Sequence, residues 1–127
     1  VVLDFLQLVN SGVTRKNTNR EQEVTYVTRQ LKALAKELGV AVIALASLNR
    51  ALEARSDKRP IAADLRDSGN IESDADSILM LYRDEVYNPE TEDKGIMELL
   101  MRKARNSEVG EKKVKWVAQS TRFEDIE

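Results

Sequence analysis

One helical stripe set between two short apolar runs limits what this chain can become. From Arg20 to Leu38, Val24, Val27, Leu31, Leu34, Ala35 and Leu38 recur three and four apart, while Arg29, Lys32 and Lys36 fall off the stripe. That spacing predicts an amphipathic helix. Thr18-Asn19-Arg20-Glu21 has the spacing of a capping box, and Gly39 supplies a stop signal. Ahead lies "VVLDFL", which reads as a buried strand ending in a carboxylate. Behind lies "VAVIALAS", too apolar for a half-exposed strand and short enough to be a central strand covered on both faces. Strand, helix, strand is the pattern of a right-handed parallel crossover.

The remainder changes period. "LNRALEARSDKRP" predicts a short helix and a loop closed by Pro60, and "DLRDSGNIESDAD" a polar connection. "SILMLYR" reads as a third buried strand. "IMELLMRKA" and "KKVKWVAQ" predict a hairpin turning through "RNSEVGE", with Lys113 and Lys115 alternating against Val114 and Trp116. The fold class expected is α/β, with parallel strands first and an antiparallel C-terminal hairpin last. Val1 is not a methionine and lies inside an apolar run, so a start in mid-strand, as a fragment of something longer, is expected.

Composition removes several chemistries. The 127 residues hold 20 Lys plus Arg against 22 Asp plus Glu, so the overall field does not draw the chain to nucleic acid. Any such contact falls to local basic loops. No cysteine and no histidine are present, which excludes disulfides, thiol chemistry, the usual zinc ligands and histidine general-base catalysis in this chain, and leaves carboxylates as metal contacts. No stretch reaches the length of a membrane span, and the first residues lack a signal-peptide layout. No membrane partner and a cytoplasmic location are the expectation.

Asp4 closes an apolar run, as does the acidic residue that holds Mg²⁺ through water in P-loop nucleotidases. An end-of-strand turn cap is the plainer alternative. The companion motif G-x-x-x-x-G-K-[ST] is absent from the chain. If Asp4 serves a metal, its phosphate loop lies upstream of Val1.

Six stretches in order, "LDFLQL", "LKALAKELGVAVIALASLNRALEAR", "DKRP", "DLRDSGNIESDAD", "LYRDEVYN" and "RKARN", make the chain resemble the RecA-type motor domain of bacterial and phage replicative DNA helicases, the DnaB family. The resemblance covers nearly the whole chain. It implies that residues 1–127 are the C-terminal part of a RecA-like P-loop NTPase core, without the phosphate-loop half. It also implies an ATP-dependent helicase that translocates on single-stranded DNA at the replication fork, with ATP and Mg²⁺ as cofactors. The implied assembly is a homo-oligomeric ring, a hexamer in the intact protein, with primase and a helicase loader as further partners.

Residue by residue, the resemblance makes Asp4 the Mg²⁺ residue. It makes Lys103 and Arg105 a finger pair reaching the γ-phosphate held by the neighbouring subunit; strand alternation points the two the same way. It assigns Arg66, Asp67 and Gly69 to the loop that holds the DNA backbone, with Asp67 acting through its N–H because its carboxylate repels phosphate. Read alone, the same residues fit a solvated strand end and an ordinary surface turn. Arg15, Lys16 and Arg20 are a second channel element or a solvated loop. Ser47 departs from the family, which carries a γ-phosphate-sensing glutamine there; the shorter side chain reaches a phosphate only through water. Glu72, Asp74 and Asp76 read as a helix cap and solvated turn, and no metal is assigned to them.

Two alternatives stay open at this point. A RecA-like recombinase or clock ATPase explains the sheet and Asp4 but not the later motifs. A non-catalytic RecA-fold interaction module, or a helicase-loading or decoy subunit, fits Ser47 and the absent phosphate loop. In the helicase reading the 127 residues alone are expected to be inactive, because the phosphate-loop motif is absent from them.

Overall fold

The computed structural model describes residues 1–10, 12, 19–68 and 70–126, with the backbone alone for 66–68. The chain forms two compact units, Val1–Ala51 with Ala62–Ala75, and Leu52–Ile61 with Asp76–Glu127.

In the first unit β1 (Val2–Leu3) and β2 (Ile43–Ala44) pair in parallel, Leu3 opposite Ala44, across helix α1 (Arg20–Leu38). This is the strand, helix, strand crossover that the hydrophobic period predicts. The cap sits one residue later than its expected spacing. Asn19 accepts from the Gln22 N–H at 2.9 Å and Gln22 returns the bond to the Asn19 N–H at 3.3 Å, because an amide at both positions closes the same reciprocal box. Gly39 ends the helix at φ +61°, a left-handed position that a Cβ would strain. Val24 and Val27 of α1 pack with Leu6, flanked by Leu3, Val9, Leu31, Ala46 and Ile71.

The two apolar runs are shorter as strands than their composition suggests. "VVLDFL" leaves strand geometry after Leu3 and turns through a 3-10 segment at Leu6–Leu8. Val2 and Ile43 stay 68% and 62% exposed, so within this unit α1 covers one face of the pair and the other is open, where two covered faces are expected. A four-residue helix α2 (Ile71–Asp74) completes the unit.

The second unit is one antiparallel sheet in the order β3 (Ser77–Tyr82), β4 (Ile96–Ala104), β5 (Gly110–Val117), β6 (Arg122–Glu124). The hairpin β4–β5 is as expected. β3 joins it antiparallel and is buried only on alternate residues, Ile78, Met80 and Tyr82, with Leu79 and Leu81 exposed. Its apolar composition does not distinguish one covered face from two. Leu100 is fully buried, and Val114 is buried between the exposed Lys113 and Lys115.

Candidate functional site

Asp4 follows β1 directly and is exposed at the carboxyl end of the parallel pair. The peptide joining it to Phe5 is cis. The Leu6 N–H donates to the Leu45 carbonyl at 2.7 Å, so the chain stays beside β2 past Asp4. Gln7 then holds Ser47 by both main-chain groups. Its Nε2 donates to the Ser47 carbonyl and its Oε1 accepts from the Ser47 N–H, each at 3.2 Å. Asp4 and Ser47 therefore sit on adjacent strand ends, on the side of a parallel sheet that faces ligands. The solvent-facing carboxylate of Asp4 is a hard oxygen donor of the kind Mg²⁺ takes alongside several waters. Among the described residues no group of three or more Asp and Glu side chains is placed to hold a metal ion.

The loop after β2 is tied to the segment expected to touch DNA. The Asn49 N–H donates to the Asp64 carbonyl at 3.0 Å, and Asn49 Oδ1 accepts from the Ala51 N–H at 2.9 Å. Asp64 is buried, and a 3-10 segment runs Ala62–Ser68 through Arg66 and Asp67. The stretch that, read alone, fits an ordinary surface turn thus has regular backbone as far as Ser68. Beyond it the Asn70 N–H donates to Thr25 Oγ1 at 3.3 Å, and Thr28 Oγ1 donates to Asp74 Oδ2 at 2.6 Å. Both ends of the segment are fastened within this unit. The side chains of Arg66 and Asp67, all of Gly69, and Arg15 and Lys16 lie outside the described residues. Arg20 pairs with Glu23 at 2.7 Å on the first turn of α1.

In the second unit, register decides where the basic strand end points. Tyr82 stands opposite Glu98, Met80 opposite Leu100 and Leu79 opposite Met101, but Ile78 stands opposite Lys103 and Ser77 opposite Ala104. Arg102 is an extra residue in β4. The Arg105 N–H donates to the Asp76 carbonyl at 2.9 Å, extending the ladder. Paired residues share a sheet face, so Lys103 and Arg105 lie on one face, together with Ile78, Met80, Glu98 and Leu100. The Arg105 guanidinium meets the Asp76 carboxylate at 2.9 Å with both groups half exposed. Such a pair contributes about 0–1 kcal/mol.

Sequence reasoning missed a bidentate ion pair with a buried carboxylate in this unit. Arg59 Nε and a terminal nitrogen each donate at 2.7 Å to the two oxygens of Glu98, which is only 4% exposed. The guanidinium lies over the Tyr82 ring at 4.8 Å. Glu98 raises the pKa of Arg59 further, and the Arg59 N–H at 3.0 Å holds the Asp57 carboxyl below its usual range. Burial, helped by the hydrogen bond that Tyr82 donates to Asp84 at 2.7 Å, pushes the Tyr82 phenol up to about 12. A signal was present: Glu98 is a lone charge inside "IMELLM", and a charge in an inward-facing strand position demands a partner.

A parallel crossover with a carboxylate at its strand end, followed by an antiparallel sheet, fits part of a RecA-like α/β fold, and two solved structures bear that class out. One solved ATPase domain superposes at a TM-score of 0.93 and 40% identity, over 99% of this chain and 44% of that one. A DnaB-like replicative helicase studied for its interactions with primase superposes equally, at 0.93 and 40%, over 99% of this chain and 30% of that one. Residues 1–125 match the DnaB-like helicase C terminal domain, and the chain belongs to that family. It is 48% identical over 126 residues to the replicative DNA helicase DnaB of Haemophilus influenzae and 46% identical over 127 residues to that of Geobacillus stearothermophilus. Those alignments take in 99% and 100% of this chain, which spans 26% and 28% of the two relatives. Likeness of this extent does not favour the recombinase, clock or interaction-module alternatives.

Proposed function

We propose that residues 1–127 form the later part of the motor domain of a ring-shaped, ATP-dependent replicative DNA helicase. What supports this most is likeness along the whole chain, 46–48% in sequence to replicative helicases. Magnesium-bound ATP supplies the phosphoryl group when present; the chain's own residues position and polarise. Asp4, exposed at the end of β1, is the residue that would hold the metal. Ser47, gripped at its backbone by Gln7, reaches phosphate through a water in place of the family glutamine.

Lys103 and Arg105 extend from one face of β4 toward the nucleotide of a neighbouring subunit, which makes hydrolysis a property of the interface between identical subunits closing a ring, a hexamer. Arg66, the Asp67 N–H and Gly69 hold the backbone of single-stranded DNA, so binding is indifferent to sequence and weakens with salt. Primase and a helicase loader are the further partners of the whole protein, which works in the cytoplasm.

The test is ATP turnover by a full-length helicase carrying these residues, as wild type and as Arg105→Ala, with and without single-stranded DNA. Loss of a trans-acting cation costs about 10³-fold or more in related nucleotidases. A variant that hydrolyses ATP like wild type removes the finger assignment. Measurable turnover by residues 1–127 alone removes the division of the site between this chain and a missing phosphate loop.

A further inference from the structure

The finger pair faces its side of the sheet only because β4 is bulged just before it. From Glu98 to Met101 each step along β4 matches one step along β3; between Met101 and Lys103 two steps match one, Leu79 to Ile78. Side chains alternate along a strand, so the slip inverts the pattern beyond it. Were Arg102 an ordinary member of the ladder, Lys103 and Arg105 would fall on the face of Leu79, Leu81 and Met101. Bulged out of the ladder, it lets them join Glu98 and Leu100.

Arg102 is itself held. Its Nε donates to the Pro60 carbonyl at 3.0 Å and a terminal nitrogen to Glu111 on β5 at 2.9 Å. Pro60 is fixed in turn, since its neighbour Arg59 grips Glu98 with two bonds of 2.7 Å. Arg102 is 23% exposed at its side chain, and both of these hydrogen bonds are made within its own unit.

We propose that Arg102 is a positioning residue for the Lys103–Arg105 pair: it is the inserted residue of the bulge that turns them onto one face, and its bonds to Pro60 and Glu111 pin that bulge. The proposal rests on the finger reading above. It assigns the three cations of "RKARN" two different jobs: Arg102 holds the bulge, and Lys103 and Arg105 form the finger.

The test is steady-state ATP turnover on single-stranded DNA by the full-length helicase, as wild type, Arg102→Met, Arg102→Lys, Arg105→Ala, Lys103→Ala/Arg105→Ala, and that double variant with Arg102→Met added. A misaimed catalytic group costs up to about 10²-fold, so Arg102→Met is expected to lower kcat by about 10-fold or more with the KM for ATP within about 2-fold. Arg102→Lys, which keeps a charged donor, falls between Met and wild type, and serves alone if the Met variant does not fold. Adding Arg102→Met to Lys103→Ala/Arg105→Ala removes no further turnover, because with both cations gone there is nothing left to misdirect.

Full turnover by Arg102→Met or Arg102→Lys while Arg105→Ala is dead overturns the proposal and leaves the finger standing. So does a further loss when Arg102→Met is added to the double variant, or a deficit confined to DNA affinity. Unimpaired turnover by Arg105→Ala instead overturns the finger reading, and the proposal with it.

Discussion

Replacing Arg59 by methionine should destabilise the second unit, because it leaves Glu98 buried without its charged partner. Met keeps much of the stem that lies along Tyr82 and deletes both charged bonds to Glu98, each 2.7 Å long. The carboxylate that remains is 4% exposed, and leaving one half of a buried pair uncompensated costs about 3–5 kcal/mol. The Arg59 side chain is 35% exposed, so water reaches the vacated side and the lower end, about 3 kcal/mol, is the better expectation. That is more than 100-fold in the folding equilibrium, since about 1.4 kcal/mol is tenfold. At an m-value of about 1 kcal/mol per molar urea the midpoint falls by about 3 M.

Replacing both partners, Arg59→Met with Glu98→Leu, removes the unpaired charge as well as the pair and should return stability to within about 1 kcal/mol of wild type. Urea unfolding followed through Trp116 reads this unit specifically. It is the only tryptophan of the chain and packs against Phe123, ring centres 5.0 Å apart, and under the Arg83 guanidinium at 5.5 Å. If the single and double variants lose about the same stability, the stack on Tyr82 and not the ion pair was responsible. If Arg59→Met costs under about 1 kcal/mol, Glu98 does not depend on Arg59 at all.

Three further outcomes follow from single contacts. Asn19→Ala, which opens the reciprocal cap with Gln22, should cost the first unit about 1 kcal/mol in urea unfolding followed by circular dichroism, and Asn19→Gly only a few tenths. Thr28→Val removes the 2.6 Å bond to the partly exposed Asp74 and should cost about 1–1.5 kcal/mol, less than for a fully buried carboxylate because water can replace the hydroxyl. In an alkaline titration of phenolate absorbance, subtracting the curve of Tyr82→Phe from wild type should leave one phenol ionising near 12, against about 10 in the unfolded chain. Because the folded pKa is the higher, this contribution to stability is complete below about pH 10 and disappears as pH rises from about 10 toward 12. A difference curve centred at about 10 would mean that Tyr82 is solvated.

What the sequence reveals and what it conceals divides along the range of the interactions. The stripe and the glycine of α1 act within a few residues, and the helix ends at Leu38 as they imply, while its cap forms at Asn19 and Gln22, one residue later than the Thr18–Glu21 spacing suggests. The parallel pairing of β1 with β2 follows from the helix between them. How much of "VAVIALAS" is strand, and whether one face or two is covered, depends on neighbours that composition does not name. The partner of Glu98 is 39 residues away, and nothing local announces that it is Arg59 and not one of the nearer cations.

The direction of the finger pair shows the limit most plainly. Alternation alone puts Lys103 and Arg105 on a common face, and the register agrees, but the same rule would put that face on the side away from Glu98. One bulged residue reverses the answer, and the bonds that keep it out of the ladder run to Pro60, 42 positions earlier, and to Glu111 on the next strand. "RKARN" therefore specifies which cations are present and leaves their aim to the rest of the sheet. A relative with the same five letters and an unbulged strand would carry the two cations on the opposite face, so on the finger reading proposed above the residues that hold the bulge matter to the aim as much as the two cations themselves.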